Sequence, residues 1–131
     1  MVDLTKLEMD YNNPPGSNED IVQIEKLMNT IIPIAFKELL LTSNGFLTTE
    51  GVFIYGTEDI VERNKTWEVN QYAHGYIAIG DDSGGRVFLM AADTDSSQVI
   101  ISDSGDMNLS HADFMTNDLV EWVSRGCTIP E

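Results

Sequence analysis

Basic side chains are scarce in this sequence: seven Lys and Arg stand against 22 Asp and Glu, a formal charge of −15 over 131 residues. Such a chain is repelled by nucleic acid and by anionic membrane surfaces and meets basic partners fastest. Nucleic-acid and membrane binding are therefore excluded, and a basic protein is the expected kind of partner. The same charge also serves solubility, since it keeps a crowded protein monomeric. Cysteine is limited to Cys127, so neither an internal disulfide nor a cysteine-based zinc site can form, and a reducing compartment is the natural home. His74 and His111 stand far apart, with no Cys or Glu at ligand spacing, so neither suggests zinc. Long apolar runs are missing too. The opening MVDLTKLEMDYNNPPGS reads as neither a signal peptide nor a membrane helix, and the expected location is the cytoplasm.

What is present is enough for one core: 42% of the residues are hydrophobic, and the length suits one domain. Asn12-Asn13-Pro14-Pro15-Gly16 is a breaker cluster, so residues 1–16 read as a loop or loosely docked arm and 17–131 as the domain. Ser17 and Asp20 have capping-box spacing, and Ile21, Ile24, Met28 and Ile31 repeat at three and four residues, the pattern of an amphipathic helix. Pro33 opens a second helix with Phe36, Leu39 and Leu40 as its buried stripe and Asn44-Gly45 as its stop. Val52–Tyr55 is a strand candidate, and Thr57–Glu62 starts a short helix with acids in its first turn. The stretch 64–75 shows no clear pattern. Tyr76–Ile79 and Arg86–Met90 flank a turn as a β-hairpin, and Gln98–Ser102 adds a third strand to an antiparallel meander. Ser110 and Asp113 again have capping-box spacing, before Met115, Leu119, Trp122 and Val123 on a closing helix that Gly126 ends. The expected fold is α+β: an antiparallel sheet with helices packed against one face, two N-terminal helices and one C-terminal helix.

Gly80-Asp81-Asp82-Ser83-Gly84-Gly85 contains the DSGG that surrounds the nucleophile of trypsin-like proteases. A triad is defined by geometry and roles, and His74, in Tyr-Ala-His-Gly, gives no sign of an orienting carboxylate. A tight turn explains every letter, with Asp and Ser bonding the backbone and glycines supplying positive φ. Asp93, Asp95 and Ser97 alternate like early calcium-loop ligands, but Gln98 and Ser104 stand where an EF-hand needs Gly and Glu. An irregular cation site among Asp81, Asp82, Asp93 and Asp95 would need convergence that spacing does not show, and a solvated acidic loop is the plainer reading. The glycines at 80, 84 and 85 lack the Lys-Ser/Thr ending of a P-loop. Trp122 lies on an apolar stripe and reads as core, while Trp67, in Asn-Lys-Thr-Trp-Glu, is the better interface anchor.

The order of these elements resembles the SUKH superfamily, the Smi/Knr-type domain of yeast cell-wall assembly regulators and bacterial toxin-immunity proteins. Ile24-Glu25, Leu27, Ile32-Pro33, Phe36, Leu39, Leu40 and Asn44-Gly45 look like its helical run. Ile79–Gly85 looks like its IGxDxxG turn, and Ala112-Asp113-Phe114 resembles its (A/S)xSF entry, with Asp113 where the family prefers Ser. The resemblance covers roughly residues 18 to 125. It implies an α+β, non-enzymatic protein-binding module without cofactor or metal. Bacterial members sit in the cytoplasm and neutralise a cognate toxin, frequently a nuclease, by direct binding. A basic toxin is thus the expected partner, and Glu58, Asp59, Glu62, Asp81 and Asp82, with Trp67 as anchor, are the expected contact surface. The alternative is a regulatory scaffold of the cell-wall regulator type with no toxin partner.

Overall fold

The computed structural model describes residues 2–129. Among the described residues seven strands form one antiparallel sheet in sequence order: β1 (Met9–Asn12), β2 (Phe46–Thr48), β3 (Phe53–Ile54), β4 (Tyr76–Asp81), β5 (Arg86–Ala91), β6 (Val99–Asp103) and β7 (Asp113–Thr116). Helices α1 (Asn18–Met28) and α2 (Ile34–Thr42) precede β2, α3 (Ile60–Thr66) and α4 (Val69–Tyr72) lie between β3 and β4, and α5 (Leu119–Ser124) closes the chain. The α+β expectation holds, and the expected meander is the centre of a larger sheet. No helix among the described residues is long and apolar enough to cross a membrane.

α1 starts as its sequence requires. The Ser17 hydroxyl accepts from the Asp20 N–H at 3.1 Å, and the Asp20 carboxylate accepts from the Ser17 N–H. Ile21 and Ile24 are buried, but Asn29 ends the helix in the left-handed region, so Ile31 falls outside it and is exposed. In α2, Ala35, Phe36, Leu39 and Leu40 are buried. Phe88 of β5 meets Trp122 of α5 edge to face, with ring centroids 5.6 Å apart. Burying each of these large apolar side chains contributes about 1.5–3 kcal/mol.

Four expectations are corrected. The part of the expected 1–16 arm that is described, residues 2–16, is not loose: β1 pairs with β2, the Gly16 N–H donates to the Leu40 carbonyl at 2.8 Å, and the Ser43 hydroxyl donates to Asn12 and to the Asn13 carbonyl. A breaker cluster stops helix without preventing the strand before it from pairing. The Ser110–Asp113 capping box does not form. Asn108 caps a 3₁₀ turn over Leu109–His111, Asp113–Thr116 pair with β6 as β7, and Asp118 caps α5 by accepting from the Glu121 N–H at 3.2 Å. Ladder bonds to an open strand edge outweigh a local capping preference there. The short helix begins at Ile60 rather than Thr57, and a second short helix occupies the unassigned stretch. Finally, helical segments approach both faces of the sheet. Asp81 pairs with Val87, so both side chains share a face, and it is this face, opposite Phe88 and α5, that the segment around Trp67 covers.

Two devices seat α3 on the sheet. β3 pairs with β4 only at Gly80 and Asp81, so Ala78 lacks a strand neighbour on that side. Asn64 of α3 replaces it, accepting from the Ala78 N–H at 2.8 Å and donating to the Ala78 carbonyl at 3.0 Å. At Gly80 a Cβ would fall well inside contact distance of the Phe53 carbonyl oxygen, so the β3–β4 approach requires glycine.

Candidate functional site

One cross-strand row organises the region that α3 covers. Tyr11, Leu47, Phe53, Asp81 and Val87 are successive register partners across β1 to β5 and therefore share a face. Tyr55, two residues beyond Phe53, points the same way, and the two rings meet edge to face at 5.1 Å. Above them the Arg63 guanidinium lies 5.6 Å from the Phe53 ring centroid, a cation–π contact.

A chain of hydrogen bonds runs through this cluster. The Trp67 indole N–H donates to the Tyr55 hydroxyl at 2.9 Å, and the Tyr55 O–H donates to Asp81 Oδ2 at 2.7 Å. Asp81 Oδ1 in turn accepts from the Ser83 N–H at 2.9 Å. Tyr55 is fully buried and Asp81 is 8% exposed. Burial first, then the bond to Asp81, pushes the Tyr55 phenol far above its ordinary range, so at neutral pH it is a donor toward Asp81. The chain fixes Trp67 against the sheet beside a hollow of about 310 Å³, whose lining includes Phe53, Arg63, Trp67, Asp81 and Val87.

The next acid holds the hairpin loop. Asp82 Oδ1 accepts from the backbone N–H groups of Gly84 (2.8 Å) and Arg86 (2.9 Å), and Oδ2 accepts from Arg86 Nε at 2.9 Å. Burial acts to raise the Asp82 carboxyl, but those backbone donors and the guanidinium together outweigh it and hold the group below the usual carboxylate range. Ser83 has φ of 60°, and its hydroxyl donates to the Gly51 carbonyl at 2.7 Å. That is a turn residue's role, joining the hairpin tip to the β2–β3 loop.

The structure thus divides the expected contact surface. Glu58 and Glu62 are exposed at the start of α3, and Asp59 is half-buried at its N-cap. Asp59 lies near enough to Tyr11 that its charge, after burial, helps raise that phenol. Asp81 and Asp82 are corrected as exposed contacts: the first is buried against Tyr55, and the second has a side chain only 10% exposed and tied to Arg86. Trp67 and Asp81 are brought together, but through Tyr55, which sequence reasoning did not single out. Phe53, Arg63 and Tyr11 were missed as well. A signal existed for two of them, since Phe53 and Tyr55 are spaced to share a strand face and Arg63 precedes Trp67 by one helical turn. Asp93 accepts from the Ile31 N–H and the Thr30 hydroxyl. Among the described residues no three His, Cys, Asp or Glu side chains are grouped to hold a metal ion.

Comparison with known proteins adds the lineage. The SMI1 / KNR4 family (SUKH-1) matches residues 15–125. The chain belongs to the SMI1/KNR4 family. The family match takes in α1 through α5 and leaves β1 outside, so Tyr11 alone of the site residues lies beyond it. This SMI1/KNR4 chain is also 36% identical over 72 residues to the uncharacterized protein YnaB of Bacillus subtilis (strain 168), a match that covers 55% of this chain and 48% of YnaB. It therefore spans about half the length of that relative.

Proposed function

We propose that this SMI1/KNR4 chain is a non-enzymatic binding module of the immunity type, acting in the cytoplasm by covering the basic surface of a protein toxin. The observation that carries the reading is the pair of exposed carboxylates, Glu58 just before and Glu62 in the first turn of the helix that ends at the braced Trp67. A nuclease toxin holds phosphates on a basic surface, and an acidic inhibitor competes for that surface and is steered to it. Trp67 then supplies the rigid aromatic anchor typical of a hot spot. Its hydrogen bond to Tyr55 fixes its orientation before the partner arrives, which lowers the ordering cost of binding. Asp81 and Asp82 contribute at one remove, by holding Tyr55 and the hairpin loop.

Affinity capture of the tagged chain from its own cells, followed by titration of the recovered partner at low and high salt, tests this. A basic partner whose activity is lost in the complex and whose binding weakens steeply with salt is the expected result. Neutral partners bound without salt dependence would overturn it and favour a regulatory scaffold.

A further inference from the structure

The sheet ends on one side at β1, where Asp10, Tyr11 and Asn12 are exposed. Apart from the ladder to β2, the backbone of Met9–Asn12 makes no hydrogen bond among the described residues. In an antiparallel ladder alternate N–H and C=O groups of the edge strand point outward, ready to pair with another strand. The strand that carries them is held in place. Val2 is buried, and Leu4, Leu7 and Met9 pack on the core. At the two ends of β1 the Thr49 N–H donates to the Glu8 carbonyl at 2.8 Å and the Asn13 N–H to the Gly45 carbonyl at 3.1 Å. An edge fixed in this way costs little ordering when a strand is added to it.

The charges at this edge select what can be added. Glu8, just before β1, and Asp10 within it are exposed, and neither carboxylate has a hydrogen-bond or ion-pair partner among the described residues. The start of α3 lies over the same end of the sheet: burial first, then the charge of Asp59, raises the Tyr11 phenol, and Arg63, one turn further on, opposes the rise. Glu58 and Glu62, the outward acids of the proposed binding surface, stand on either side of Asp59 in the chain. A second copy of the protein would bring its own Glu8 and Asp10 to this edge, acid against acid and −15 against −15. A strand rich in Lys and Arg meets opposite charge instead. The other edge offers less: β7 carries one acid, Asp113, and the neighbouring Asp106 and Asp118 are engaged with His111 and the Glu121 N–H.

We propose that β1 is a docking edge, to which the partner adds a basic β-strand that extends the sheet. The proposal rests on the reading of the partner as a basic protein and specifies how that protein attaches. Main-chain bonds to β1 supply affinity, while Glu8, Asp10 and Tyr11 select the side chains beside them. β1 precedes the residues matched to the family, 15–125, so this contact lies outside what the family match accounts for.

The test titrates the full chain with a short synthetic peptide alternating Lys and Val, followed by NMR and amide hydrogen exchange. Binding that weakens with salt is expected, with slowed exchange at the outward amides of Met9–Asn12 and a shifted Tyr11 ring. The same peptide N-methylated at every residue keeps its charge but has no N–H to donate, and should bind at least about tenfold more weakly. Glu8→Lys with Asp10→Lys should weaken the unmodified peptide by a similar factor while leaving the circular dichroism spectrum unchanged, because both side chains are exposed and unpaired. Absence of binding overturns the proposal, as does binding indifferent to N-methylation or slowed exchange at β7 in place of β1. The captured partner separates this proposal from the reading beneath it. A basic partner that slows exchange at α3 alone would sink strand addition and leave the immunity reading standing. A neutral partner bound without salt dependence would sink the immunity reading, and the peptide would still decide whether the edge takes a basic strand.

Discussion

Two short acidic stretches of this chain, Glu58 to Glu62 and Asp81-Asp82, look interchangeable as sequence and differ in the folded protein. Glu58 and Glu62 project into solvent from the start of α3. The carboxylates of Asp81 and Asp82 face inward, and between them accept three backbone N–H groups, the Tyr55 hydroxyl and the Arg86 guanidinium. A net charge therefore overstates what a partner meets, because some of the acids belong to the scaffold. Inward acids stabilise the fold and position Trp67, and outward acids govern encounter. Substitutions can separate the two roles.

The largest effect is expected at Tyr55. Tyr55→Phe keeps the ring against Phe53 but removes the hydroxyl that joins Trp67 to Asp81. It leaves a half-buried indole N–H and a buried carboxylate each short of a partner, and unmet groups of this kind cost about 1–3 kcal/mol apiece. A loss of roughly 2–4 kcal/mol is expected, read as a lower urea midpoint with an unchanged slope. Trp67 emission should shift as its indole gains freedom. A midpoint within error of the parent chain would show that the inward acids do not depend on Tyr55.

Asp82 is a smaller test of the same idea. Asp82→Ala removes the acceptor for two loop N–H groups and should cost about 1–2 kcal/mol at neutral pH. Because folding lowers its pKa, the carboxylate stabilises the fold above its unfolded value of about 4 and loses that contribution as pH falls through the lower folded value. The stability gap between parent and variant should therefore close on acidification. A gap that stays constant between neutral pH and about pH 3 would assign the loss to packing instead of charge.

The sequence exposes this division only in part. The hairpin, the α1 capping box and the α2 stripe are legible because each rests on neighbours within a few residues. The Tyr55–Asp81 bond joins residues 26 apart, and nothing in local spacing distinguishes Asp81, whose carboxylate turns inward, from an exposed loop acid. β7 fails for a related reason. Asp113 and Ser110 satisfy a helix-start pattern locally, and only the open edge of β6 makes the strand preferable. β1 is hidden by the prolines after it, since its partner β2 lies beyond two intervening helices. The family resemblance supplied order and fold class, but not which acids face outward.

The smallest effect on the fold should come from the outward acids, and it sharpens the contrast most. Glu58→Lys with Glu62→Lys changes the formal charge from −15 to −11, since each reversal adds two. Among the described residues neither side chain has a hydrogen-bond or ion-pair partner, so stability should stay within about 0.5 kcal/mol of the parent. Binding to a basic partner should respond chiefly in its association rate, which falls most at low salt, where steering is strongest, and converges with the parent as salt rises. Reversal at Asp81 and Asp82 would lower affinity too, but together with the urea midpoint and with little relation to salt. An association rate unchanged by the Glu58 and Glu62 reversals would place the partner elsewhere on the molecule and leave Trp67 as a brace of the sheet alone.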